Sequence, residues 1–188
     1  SEIKIMKKLV ILGGGISGIG AALLAKKNGY DVFVSDKGII SEKEVLTNND
    51  IKWEEGTHSV KEIMTASEVV KSPGIPDSID VIKRIKEKGI SIISEVEFAY
   101  RFTNAKIVAI TGSNGKTTTT LLVAHILEKA GYDVLVAGNI GTGFAKSISE
   151  RDYDYIVLEL SSFQLDGIKD FKADIAILLN ITPDHLDR

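Results

Sequence analysis

The chain has 188 residues, 44% of them apolar, which is enough for one large domain or two small ones. Its 23 basic and 26 acidic residues give a net charge of -3, with no basic run longer than a pair, which argues against a nucleic-acid footprint. With no cysteine, disulfides and thiolate metal sites are excluded, and a reducing compartment fits.

The chain opens on "KKLVILGGGISGIGAALLAKK", a basic flank before an apolar stretch, as in a signal peptide. Five glycines interrupt that stretch, and no apolar run approaches the ~20 residues of a membrane span. The expectation is a soluble, cytoplasmic, monomeric protein without membrane insertion. Leu9 to Leu12 read as a strand, and Gly13-x-Gly15-x-x-Gly18 then opens a helix that closes at Gly29. Asp36 ends the next strand, 18 residues beyond Gly18. Glycines at these positions permit a tight turn and let backbone N–H groups reach a diphosphate at the helix N-terminus. The pattern fixes a ligand with phosphates and a ribose-like group, not which nucleotide; a glycine-rich turn without ligand is the bland alternative.

"EVVKSPGIP" follows as a strand ending in a Pro-Gly turn, then an amphipathic helix, "SIDVIKRIKEKG", and a buried strand, "ISIIS". "EVEFAYRFT" is a short helix joining two halves, with the seam near Thr103 and Asn104. The expected division is 1–103 and 104–188.

The second half repeats the first: "KIVAITGSNGK…EKAGYDVLVAGN" parallels "KLVILGGGISG…AKKNGYDVFVSD", with Gly131 in the place of Gly29. The βαβ unit is thus written twice, each copy a parallel pair with a right-handed crossover. In "GSNGKT", Gly112, Ser113, Asn114 and Gly115 form a phosphate loop, Lys116 faces the β/γ oxygens and Thr117 offers a hydroxyl to Mg²⁺. The loop departs from G-x-x-x-x-G-K-[ST], because its first glycine would fall at Ile110.

Two apolar strands follow, "YDYIVLELSSF" and "ADIAILLNI", with the continuous apolar character of a parallel sheet. Glu159 ends the first of them. A carboxylate there either faces a cation or pairs with a lysine, and its place beside the phosphate loop favours Mg²⁺. Asn139, Asp184 and His185 also lie just past strand ends, on the edge where open α/β sheets bind ligands. His58, His125 and Trp53 read as surface or packing residues. From Lys106 onward, four strands face a single long helix and about two further turns in "GFAKSISE". One sheet face therefore looks uncovered and the second unit cut short.

"TGSNGKTTT", "AGNIG", "ELSSFQLD", "SPGIP" and "NITPDHLDR", in this arrangement behind the first glycine loop, resemble the Mur ligases of peptidoglycan synthesis. The likeness is closest to the branch that adds D-glutamate to UDP-N-acetylmuramoyl-L-alanine. It implies an α/β fold: a Rossmann-like parallel-sheet domain that holds UDP, then the first part of a P-loop central ATPase domain. It also implies an acyl phosphate made with ATP and Mg²⁺, from which the amine of D-glutamate displaces phosphate.

By the same resemblance, Gly13, Gly15, Ile16, Ser17, Gly18, Asp36, Lys37 and Gly74 hold the uridine diphosphate. Asn139, Ser161 and Gln164 face the muramoyl part. Residues Gly112 to Thr118, with Thr118 closing the loop, hold ATP. Lys116, Glu159 and His185 act in catalysis, and Thr117, Glu159 and His185 serve the metal. The family's carbamylated lysine and C-terminal domain would lie beyond Arg188, so these residues are expected to bind but not to ligate. Three rivals remain open: another Mur-family ligase, a small P-loop kinase or NTPase, and a nicotinamide-dependent oxidoreductase built on the first loop. A plain nucleotide-binding module is the non-enzymatic alternative.

Overall fold

The computed structural model describes residues 6–182. The first half begins with β1 (Lys8–Leu12), α1 (Ile16–Lys27) and β2 (Asp31–Asp36). It continues through α2 (Lys43–Asn48), β3 (Lys52–Glu55), α3 (Val60–Ile63), β4 (Glu68–Lys71), α4 (Asp80–Glu87) and β5 (Ser91–Ile93). Its five strands are all parallel, in the order β3-β2-β1-β4-β5. A short helix, α5 (Glu95–Tyr100), leads into the second half. There follow β6 (Lys106–Thr111), α6 (Lys116–Lys129), β7 (Val134–Gly138), α7 (Phe144–Glu150), β8 (Tyr155–Glu159), α8 (Ser162–Leu165) and β9 (Ile175–Leu178). These four strands are parallel too, in the order β7-β8-β6-β9.

The duplicated βαβ unit appears as expected. α1 and α6 both end on a glycine with positive φ, Gly29 at 78° and Gly131 at 91°, each followed by the next strand. The segment from 43 to 63, which carries no clear periodicity, folds into α2, β3 and α3. β3 is "KWEE", a strand that pairs with β2 at the sheet edge despite its charges. In each sheet the first strand lies inside, and the connections leave it in both directions. The loops after β1, β4 and β6 therefore open at points where strand order reverses.

The expectation of an uncovered sheet face is corrected by the packing. One face of the second sheet (Val108, Ile110, Val157) lies under α6 through Ala124, Val123 and Leu127. The other (Ile107, Ala109, Leu135, Ile156, Leu158) shares one core with Phe144 and Ala145 of α7, Leu24 of α1, and Val96 and Phe98 of α5. The first half thus supplies cover that the second half lacks. α1 and α7 approach so closely that a Cβ on Gly20 would lie 2.9 Å from the Lys146 nitrogen. What stays open is the edge. β9 reads as a buried strand in sequence, yet Ile175 is 54% and Leu178 61% exposed, because β9 is the outermost strand.

α5 does join the halves, and its polar side chains are buried. Glu95 accepts a hydrogen bond from the Ala145 N–H at the start of α7 (2.6 Å). Glu97 Oε2 accepts three, from the backbone N–H groups of Lys169, Asp170 and Phe171, at 2.9, 3.0 and 2.9 Å.

Candidate functional site

The first glycine loop leaves β1 and turns into α1. A Cβ on Gly18 would collide with the carbonyl oxygen of Gly13, so only glycine allows the helix to begin that close to the strand end. Gly13 N–H donates to the Ser35 carbonyl (2.9 Å), which ties the loop to β2. The Asp36 carboxylate accepts from Gly14 N–H at 2.6 Å and from Gly38 N–H at 2.7 Å. Ile16 projects into solvent, 66% exposed, at the first turn of α1. Gly74 belongs to the β4–α4 loop, and that loop packs on the first one: a Cβ on Gly13 would strike the Ser72 side chain. Gly13, Gly15, Ile16, Ser17, Gly18, Asp36, Lys37 and Gly74 therefore gather at the carboxyl ends of β1, β2 and β4. Next to Gly74, a cavity of about 510 Å³ runs between the β4–α4 loop and α8, lined by Lys71, Ile75, Asp77, Phe163 and Asp166 among others. Lys71 and Lys86 both reach Asp77, at 3.2 and 2.7 Å, and the hydrogen bond from Lys86 above all holds that carboxyl below its ordinary range.

Behind Asp36 lies a polar group that the sequence reading passed over. Ser35 is fully buried, and its hydroxyl lies 2.7 Å from Glu54 Oε1 and 2.7 Å from His58 Nδ1. A hydroxyl has one hydrogen to give. If it goes to the Glu54 carboxylate, His58 must donate from Nδ1, which fixes its tautomer. Burial pushes Glu54 up, but hydrogen bonds from Ser35 and Ser59 outweigh this and hold it below the usual carboxylate range. Burial lowers His58, against the pull of Glu54 and Asp36. His58, assigned from sequence to surface or packing, is thus part of the wall behind Asp36. By contrast, His125 is exposed on α6, and Trp53 packs as expected, with its indole N–H on Thr47 Oγ1 (3.0 Å).

The second loop leaves β6 and turns into α6 at Gly115, whose φ is 84°. The first N–H groups of this 14-residue helix have no partner within it and carry the positive end of its dipole, which suits an anion. Lys116 curls back so that Nζ donates to the carbonyls of Gly112 (2.6 Å) and Ser113 (3.2 Å), which keeps the ammonium on the loop.

Glu159, at the end of β8, is 2% exposed. Its Oε2 accepts from the Thr117 hydroxyl (2.8 Å) and its Oε1 from Asn139 Nδ2 (3.0 Å). Both donors are neutral, and among the described residues no lysine or arginine pairs with it. A buried carboxylate without a counter-charge costs several kcal/mol, which a cation bound beside it would offset. A carboxylate and a hydroxyl next to a phosphate loop are hard oxygen donors of the kind Mg²⁺ takes, keeping waters and phosphate oxygens for its other positions. Among the described residues no group of three or more His, Asp or Glu gathers for a metal, and Asp184 and His185 lie outside those residues.

The segment after Asn139 approaches the first loop. It runs to Gly143, where a Cβ would lie 3.5 Å from Ile16 Cγ2 of the first loop. Ser161 and Gln164 engage each other instead: they form the capping box of α8, with Ser161 Oγ accepting from the Gln164 N–H and the Gln164 side chain accepting from the Ser161 N–H. No helix of the described residues is long and apolar enough to cross a membrane.

Comparison with known proteins agrees with this fold. Residues 7–94 match the model of the MurD-like N-terminal domain of Mur ligases, and residues 110–188 match the Mur ligase middle domain. A UDP-N-acetylmuramoylalanine–D-glutamate ligase of Christiangramia forsetii is 59% identical over 97% of this chain, and one of Bacteroides fragilis is 57% identical over 97%. The chain spans only 41% and 42% of the length of these curated relatives. Among solved structures, a UDP-N-acetylmuramate–alanine ligase from Thermotoga maritima superposes with a TM-score of 0.58 at 25% identity. It covers 97% of this chain and 43% of its own. A UDP-N-acetylmuramate:L-alanyl-gamma-D-glutamyl-meso-diaminopimelate ligase from Neisseria meningitides gives a TM-score of 0.62, covering 97% of this chain and 63% of its own. At 22% identity that second match speaks to fold alone.

Proposed function

The chain belongs to the Mur ligase family, and from that premise we propose that it forms the nucleotide-binding part of an ATP-dependent ligase adding D-glutamate to UDP-N-acetylmuramoyl-L-alanine in the cytoplasm. Residues 1–103 hold the uridine diphosphate and residues 104–188 hold ATP. The observation that carries this reading is Glu159, buried beside the second loop between Thr117 and Asn139, with Gly143 of the segment after Asn139 lying near Ile16 of the first loop. One loop alone would suit many nucleotide-binding proteins. Two such loops sharing one packed core, with a buried acid beside the second, suit a substrate that must be held while its far end is phosphorylated.

In this reading the Gly115, Lys116, Thr117 and Thr118 amides take the phosphates of ATP, and the Lys116 ammonium neutralises the γ-phosphate. Thr117 and Glu159 would hold Mg²⁺, with His185 joining them; the ion supplies charge neutralisation to the phosphate oxygens. Gly13, Gly15, Ser17 and Gly18 give the first loop its amides. Asp36 and Lys37 receive the uridine, Gly74 lies against the diphosphate, and Asn139 faces the muramoyl part, while Ser161 and Gln164 cap α8. The substrate carboxylate then attacks the γ-phosphorus, ADP leaves, and the amine of D-glutamate displaces phosphate from the acyl phosphate to form the amide. Phosphoryl transfer of this kind needs positioning and charge neutralisation rather than a protein nucleophile, and the site offers both.

Calorimetry separates the alternatives. The chain is titrated with UDP-N-acetylmuramoyl-L-alanine, with Mg-ATP and with NADH. Binding of the first two at separate sites, with Asp36→Ala weakening only the sugar nucleotide and Lys116→Ala only ATP, supports the proposal. Binding of NADH at the first loop, with no response to the uridine compound, would falsify it.

A further inference from the structure

The second loop is held from outside by the residues that follow β9. The Asn114 N–H donates to Asn180 Oδ1 at 2.9 Å, and Asn180 Nδ2 donates back to the Asn114 carbonyl at 2.9 Å. One side-chain amide thus satisfies both backbone groups of a single loop residue. The Ser113 N–H donates to the Asn180 carbonyl (3.1 Å), and Ser113 Oγ is bonded to both the carbonyl (3.1 Å) and the N–H (2.9 Å) of Thr182. The strap continues the β9–β6 ladder, where the Leu179 N–H donates to the Thr111 carbonyl (3.0 Å).

Asn180 is exposed, so apolar packing does not explain its place. Its partner Asn114 immediately precedes Gly115, the residue from which α6 starts. Fixing both the N–H and the C=O of residue 114 fixes the two peptide planes that flank it, the second of which leads into Gly115. It also removes the 113 and 114 amides from the set free for a ligand. The amides left for an anion are those of Gly115 and the first turn of α6, and their direction is set before the anion arrives. An anion site arranged in advance loses less affinity to ordering its own donors.

We propose that Asn180 is a positioning residue for nucleotide binding: its side-chain amide clamps Asn114 so that the amides from Gly115 onward face the triphosphate. This rests on the reading of residues 112–118 as the ATP loop.

The test uses the whole chain with Asn180→Ala and, separately, Asn180→Asp, which keeps the acceptor but faces the Asn114 carbonyl with a second acceptor. Mg-ATP and UDP are titrated in parallel, and hydrogen exchange is followed at the Asn114 amide. Loss of two ordinary hydrogen bonds corresponds to a roughly tenfold weaker Mg-ATP affinity. UDP affinity stays unchanged, and exchange at Asn114 quickens in Asn180→Ala. Unchanged Mg-ATP affinity in a variant whose Asn114 amide exchanges faster overturns the proposal. Should Asn180→Ala fail to fold, Asn180→Asp decides by the same comparison. Parallel loss of UDP binding in both variants makes the role a general structural one and also overturns it. If the unaltered chain binds no Mg-ATP, the ATP reading itself fails and takes the proposal with it. The exchange data still report on the clamp, so the two failures are distinguishable.

Discussion

Glu95 gives the most quantitative test of the packing between the halves. Its side chain is buried where α5 meets α7, and it accepts a hydrogen bond from the Ala145 N–H. Burial pushes its carboxyl from 4.5 up to about 7, against the opposing pull of that hydrogen bond. A raised carboxyl means that the folded state holds the proton more tightly than the unfolded chain. Stability is therefore greatest at and below pH 4.5, declines as pH rises towards 7, and levels off above it. The gap corresponds to about 3 kcal/mol, an upper figure for a buried group. In Glu95→Gln the amide oxygen can still accept from Ala145, but no charge has to be buried at high pH. Urea denaturation of both proteins at pH 5, 6, 7 and 8 should give a difference in stability that is small at pH 5. By pH 8 it should favour the variant by about 2–3 kcal/mol. Other titrating groups cancel in that difference. A difference that does not change with pH, or a variant less stable at pH 8, would refute the burial argument.

Glu97→Ala strips the acceptor from three neighbouring N–H groups and should cost roughly 3 kcal/mol or more in urea melts. Glu159→Gln removes the buried charge but keeps a shape that fits between Thr117 and Asn139. ATP should still bind weakly without Mg²⁺, while the gain in affinity on adding Mg²⁺ should largely disappear in calorimetry. His58→Ala should weaken UDP about two- to tenfold by loosening the wall behind Asp36 while leaving Mg-ATP binding alone. An equal effect on both ligands would show that the variant merely unfolds.

Much of this architecture is legible in sequence because it is local. The two glycine loops, the helices they open and the closing glycines Gly29 and Gly131 each depend on a short stretch of chain, and all appear where expected. Glu159 could be suspected because a single acid in "YIVLEL" has no local excuse. The less legible parts depend on pairs distant in the chain. Ser35, Glu54 and His58 come from β2, β3 and the loop after it, and meet only because β3 pairs with β2. In sequence Glu95 and Glu97 look like the solvated positions of a short helix, yet both are buried, because α5 is wedged between two sheets. β9 forms as the parallel strand its apolar run suggests, but its place at the end of the strand order, which no local pattern encodes, leaves Ile175 and Leu178 exposed.

The same packing bears on how the two loops could cooperate. A seam at 103–104 suggests a hinge, but the chemistry around it argues otherwise. α1, α5 and α7 share one core with the faces of both sheets, and the two α5 glutamates fasten that core to α7 and to residues 169–171. To swing one half against the other, the chain would have to expose apolar surface and break hydrogen bonds to buried carboxylates, each step costing on the order of 1 kcal/mol or more. The first loop, the segment after Asn139 and Glu159 are therefore held relative to one another by this packing. The distance between the two glycine loops is thus a property of the fold, and a rotation between the two sheets would have to break this shared core.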